Sequence, residues 1–186
     1  MIVKKERKNM SNILSIFITF ISAFFIISSI PKIINLKGFI TLTADYGVVP
    51  GKVATILGAL FPFVELILGI MLIFPEARVL AATGIIILLV GFQYAVINVL
   101  KTGKTLSCGC YGKLIDSKVD NFTILKIRIL ILISLYIVAM SLLKVENTLF
   151  KGGDIVIGIA LSITILAFQV LWSTSKQSRE ILKNTN

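Results

Sequence analysis

The chain has no histidine and only two cysteines. The first absence removes the usual proton carrier near neutral pH and the commonest metal ligand together. Charge is also scarce, at 15% of residues, and it falls in short runs between long apolar stretches. With 56% hydrophobic residues and a mean hydropathy of +0.97, the chain exceeds the 45–50% apolar content usual in soluble domains. The pattern excludes a soluble globular core and reads as an all-α, polytopic membrane protein. The net charge of +10 does not point to nucleic acid, because the lysines flank apolar spans. Anionic lipid headgroups of the bilayer account for them.

What is present is a series of apolar runs in a single integral membrane domain, 1–186. Spans are expected at about 12–30, 53–74, 79–100 and 122–143, a four-helix transmembrane bundle. A fifth C-terminal run, 155–172, is at the short limit for crossing a bilayer. The first run follows Lys4, Lys5, Arg7 and Lys8 and lacks an Ala-x-Ala-like cleavage site, so it reads as an uncleaved helix rather than a signal peptide. Ser15, Thr19, Ser22 and Ser29 share a face of it, as small polar residues do where helices pack closely. The segment 31–52 between the first two spans reads equally as a surface helix or a loop.

In the second span Gly58, Pro62, Glu65 and Gly69 recur at spacings of four, three and four, so they share one face. Pro62 releases a carbonyl one turn back and allows a bend. A carboxylate near mid-bilayer is costly unless it faces the bundle and is paired or protonated. Glu65 is therefore either a proton-handling group near a functional site or a structural hydrogen-bonding group between helices. In the third span Gly84, Gly91 and Asn98 repeat every seven residues as a packing seam. Gln93, Tyr94 and Asn98 either line a cavity or bond between helices. Lys126 and Arg128, one turn inside the fourth span, either snorkel to headgroups or act as charge partners for Glu65 or a thiol.

Both cysteines lie in the polar loop 101–121, within Ser107-Cys108-Gly109-Cys110-Tyr111-Gly112. Thiolates are the nucleophiles of disulfide exchange. Cys108 and Cys110, one glycine apart, close only a very small ring, for which Gly109 supplies permissive backbone angles. Off-ideal disulfide geometry makes such a bond easier to reduce. A ring so small cannot staple the bundle, which favours a shuttle over a structural bridge. Other chemistries stay open: two sulfurs suit a soft ion such as Cu(I), but no histidine is present to complete a zinc site. Two inert loop cysteines are the remaining alternative.

Five spans put this loop opposite the N-terminus. The N-terminal side then carries seven of the 19 basic residues and the loop side twelve, which by count alone favours a cytoplasmic loop. The dense basic flank of the first helix argues the opposite orientation, and stable disulfides belong to oxidising compartments.

On these residues the chain resembles the MauE (methylamine-utilisation) family, in the wider DoxX-like group of redox-associated membrane proteins. The resemblance rests on Cys108-Gly109-Cys110-Tyr111-Gly112, with Tyr111 where the family has Phe. Lys32 after the first span, Pro50 before the second, and Pro62-x-x-Glu65 with Gly69 also match, so the likeness covers roughly 12–143. It implies a plasma-membrane, multi-pass four-helix core with the cysteine loop extracytoplasmic. It implies a thiol–disulfide oxidoreductase or redox accessory in the maturation of exported proteins, beside a thioredoxin-like partner or a secreted client protein. Cys108, Cys110 and Glu65 would then be the reacting groups, and Lys32 and Arg128 charge partners. By analogy alone, electrons would pass to a membrane quinone. A non-catalytic membrane subunit or chaperone that binds a client, or a soft-metal-handling protein, is the alternative function.

Overall fold

The structure is a computed structural model that describes residues 2–102, 121–143 and 152–184. The segment 103–120 lies outside the described residues, and with it Cys108, Gly109, Cys110, Tyr111 and Gly112. Every long element among the described residues is a helix: α1 (Ile2–Ile34), α2 (Leu36–Asp45), α3 (Gly51–Met71), α4 (Arg78–Lys101), α5 (Asn121–Leu142) and α6 (Gly152–Asn184), with a 3₁₀ turn at Pro75–Ala77. Four stretches are long and apolar enough to cross a membrane: Met10–Ile34, Gly51–Met71, Pro75–Lys101 and Phe122–Leu142. The fold is that of an all-α, multi-pass membrane protein. The apolar part of α6, Gly152–Phe168, is shorter than these four.

α1 is the hub. Its membrane stretch is 61% buried, against 28–33% for the other three. It packs on α6 along one side, on α3 along another, and on α5 and α2 more lightly. Large aromatic and branched side chains, Leu14, Ile18, Ile21, Phe24 and Phe25, fill the space around it. The small residues of α1 are divided among its neighbours rather than gathered on one. Ser22 Oγ donates to Gly69 O of α3 at 2.7 Å. A Cβ on Gly69 would stand 3.2 Å from Phe25 Cβ. On the α6 side, a Cβ on Gly158 would stand 2.6 Å from Thr19 Cβ, and Ser162 Oγ donates to Phe20 O at 2.8 Å.

The segment left open by the sequence is helical. α1 ends where Asn35 leaves the helical region, at φ −111° and ψ 54°, and its Oδ1 accepts from Gly38 N to start α2. Phe39, Leu42 and Tyr46, at spacings of three and four, bury the inner face of this segment. α2 then lies against the first half of α3. The close approach is at Gly58, where a Cβ would stand 3.0 Å from Ile40 Cα. Pro62, one turn on, cannot donate to the Gly58 carbonyl, so the missing helix hydrogen bond and the close approach fall at one place.

Arg78, one of the seven basic residues counted on the N-terminal side, is fully buried. Its Nε and Nη2 donate to Leu72 O at 3.3 Å and Ile73 O at 3.4 Å, carbonyls left over at the end of α3. The seven-residue seam of α4 is only half a seam. Gly84 meets Leu68 of α3, whereas a Cβ on Gly91 would meet nothing within 4 Å.

Candidate functional site

Three of the four buried charged side chains among the described residues meet at one cavity. Lys32 Nζ, in the last turn of α1, reaches Glu65 of α3 and donates to Oε1 at 2.9 Å and Oε2 at 2.6 Å. Lys32 is 5% exposed and Glu65 6%. A carboxylate isolated among apolar helices would be costly. The ammonium reduces that cost, as do the rings of Phe39 and Phe61, whose centroids lie 5.5 and 6.0 Å from Nζ. The face of α3 that carries Gly58, Pro62, Glu65 and Gly69 is buried as a unit. That face brings Glu65 inward, and the approach of α2 brings Phe39 over the amine.

A third charged group lines the same space. Lys126 of α5 is 9% exposed, and its Nζ lies 6.0 Å from the centroid of Phe24. Ser28, Leu89, Phe92, Ile127 and Leu130 complete much of the wall, so five helices meet here around a cavity of about 40 Å³. Lys126 stands five residues into α5, roughly 8 Å along the axis from Asn121, where the chain returns from the cysteine segment. The cavity thus sits toward the end of the bundle that carries the thiol loop.

The sequence-predicted residues sort as follows. Lys32, Pro62 and Glu65 come together. Arg128 does not join them, because it is exposed on the outer face of α5. Lys126, two residues earlier, takes the inward place. Gln93, Tyr94 and Asn98 do not line the cavity; Phe92 does, and Tyr94 faces out at 64% exposure. Cys108, Gly109, Cys110, Tyr111 and Gly112 lie outside the described residues. A signal for Lys126 was present: Thr123, Lys126, Ser134 and Ser141 recur on one face of α5 and are all buried.

Residues 10–145 match the family described as "Methylamine utilisation protein MauE". The chain belongs to the MauE family. A relative from Methylophilus methylotrophus, a "Methylamine utilization protein MauE", is 28% identical over 167 residues, covering 86% of each chain. No solved structure matches. The matched region takes in α1 to α5 but leaves out α6. Membership supports an accessory role in the membrane for this MauE-family chain, and it assigns no reaction to the cavity.

The quinone raised by analogy has a size test here. A protein cavity that takes benzene measures about 150 Å³, several times the space between Lys32, Glu65 and Lys126. The donors suit carbonyl oxygens, but a ring does not fit this cavity, and no electron-transfer step is routed through it.

Proposed function

We propose that this MauE-family protein is a membrane thiol–disulfide oxidoreductase, or a redox accessory, in which Cys108 and Cys110 exchange with a partner at the extracytoplasmic face. The observation that carries the reading is the paired cysteines on the loop joining α4 to α5, with the buried Lys32–Glu65 pair toward the same end of the bundle. Family membership supports an accessory role, and the relative's name ties it to methylamine utilisation. The partner in our reading is a thioredoxin-like protein or a secreted client that needs disulfides.

The exchange balances without any other reactant. A partner thiolate attacks one sulfur of the Cys108–Cys110 disulfide and forms a mixed disulfide, and one cysteine leaves as thiolate. The second partner thiolate then attacks its own sulfur in the mixed disulfide and releases the other cysteine. Two electrons and two protons pass to the cysteine pair, and the partner gains the disulfide. The reverse direction uses the same steps. In this reading Glu65 handles protons and Lys32 holds its carboxylate in place. Gly109 supplies the permissive backbone angles that so small a ring needs, and Pro62 permits a bend in α3 next to Glu65.

The test is replacement of each cysteine. Cys108→Ser and Cys110→Ser should each abolish transfer of oxidising equivalents to the partner, while the protein still inserts and melts normally. Full transfer by either variant would rule the exchange out and leave a non-catalytic client-binding subunit as the better account.

A further inference from the structure

The cavity between Lys32, Glu65 and Lys126 is too small for a ring but not for water. Each water needs about 10–15 Å³ of such space and two to four polar partners. About 40 Å³ therefore admits two or three. The partners are present. Lys32 spends two N–H groups on the Glu65 oxygens. Its Nζ also lies 5.5 and 6.0 Å from the ring centroids of Phe39 and Phe61, which are weak partners beside a water oxygen. Ser28 Oγ donates to Phe25 O at 3.2 Å, which leaves its lone pairs toward the same space. The Lys126 amine and the Glu65 carboxylate line it from α5 and α3. α2 and α4 contribute Phe39, Leu88, Leu89 and Phe92 and no titratable group.

We infer that this cavity is a hydrated proton-exchange site, in which two or three waters join Lys126 to the Lys32–Glu65 pair. Aromatic and branched walls keep the waters few and held, and the three charged side chains fix them by hydrogen bonds. Lys126 is a positioning residue. It stands nearest the return of the thiol loop along α5, and it fixes the waters through which protons reach Glu65. The link to thiol chemistry rests on the function proposed above, since each exchange consumes a proton at one sulfur and releases one at another. The hydration of the cavity does not rest on that function.

Two experiments separate these claims. The first mixes the protein in lipid nanodiscs with D₂O and follows the Glu65 carboxylate band by infrared spectroscopy, isolated as wild type minus Glu65→Gln. The band should shift on mixing, and it should shift about tenfold more slowly when Leu88→Phe or Leu130→Phe fills the space that holds the water. Two variants guard against one failing to fold. A band that moves only on denaturation, or moves equally fast in both folded filling variants, would overturn the hydrated site. The second follows the pH profile of exchange between the cysteine pair and glutathione. Lys126→Met should change the shape of that profile and Lys126→Arg should retain it, a distinction that a purely structural role would not produce. An unchanged profile in folded Lys126→Met would overturn the positioning role. If the cysteine variants retain full transfer, the thiol function fails while the D₂O result stands.

Discussion

The two sides of α1 are both buried and both polar, yet they are built in opposite ways. Toward α6 the polar groups are small and neutral, and they are spent on packing: Ser162 Oγ bridges to Phe20 O and to Gly158 O, and Gly158 admits Thr19. Toward α3 and α5 one small contact remains, Ser22 Oγ on Gly69 O, but beyond it the polar groups are long and charged, and these enclose space instead of eliminating it. Close packing needs no charge. A buried ion pair in a cavity is a poor way to hold helices together, since well-packed apolar residues of similar volume hold them as well or better. The charged side is therefore where a function is to be sought, and it is also the side that lies within the region matched by the family.

Five substitutions, one of them a compensating partner, would sharpen or break this contrast, and their effects should fall in order. Lys32→Met should cost most, about 3 kcal/mol, because it leaves a carboxylate buried without its ammonium. Adding Glu65→Leu to it should restore stability to within about 1 kcal/mol of wild type. Reversible unfolding in mixed micelles measures both, and a single variant as stable as wild type would mean that the pair is not closed in the membrane-embedded protein. Gly158→Leu should cost about 1–3 kcal/mol, by overpacking against Thr19 and Phe20. It should leave thiol exchange unchanged in the protein that remains folded; a loss of exchange would join α6 to the functional side and end the contrast. Ser162→Ala removes one interhelical hydrogen bond and should cost about 0.6 kcal/mol, visible as a small drop in melting temperature. Gly91→Ala should be the mildest and of opposite sign, a gain of up to about 1 kcal/mol from helix propensity, since nothing stands within 4 Å of the added methyl. A clear loss there would mean that this face of α4 has a partner.

Much of the charged side was legible in sequence because a helix places residues by spacing alone. Gly58, Pro62, Glu65 and Gly69 fall on one face at three- and four-residue steps, and all four are buried. That a buried carboxylate needs a partner was legible too, but Lys32 was singled out for that place only through the family resemblance, together with Arg128. Which cation of α5 turns inward was not legible from charge. Lys126 and Arg128 lie on different faces of a helix that is apolar nearly all round, and only the buried stripe of Thr123, Ser134 and Ser141 fixes its rotation. α2 was left open between a surface helix and a loop because its ten residues are too few for a strong period, although Phe39, Leu42 and Tyr46 carry the trace of one. The burial of Arg78 was not legible, because a cation beside a turn ordinarily faces solvent. Its burial follows from the unpaired carbonyls at the end of α3, which no residue count reveals.

The most direct test of the central claim is the state and side of the two thiols in intact cells. A membrane-impermeant maleimide would be applied with and without prior reduction. Disulfide exchange at the extracytoplasmic face predicts labelling of Cys108 and Cys110 only after reduction, and none in the doubly substituted Cys108→Ser/Cys110→Ser protein. Labelling that appears only once the cells are permeabilised would put the pair on the cytoplasmic side, as the count of basic residues favours, and would contradict the account.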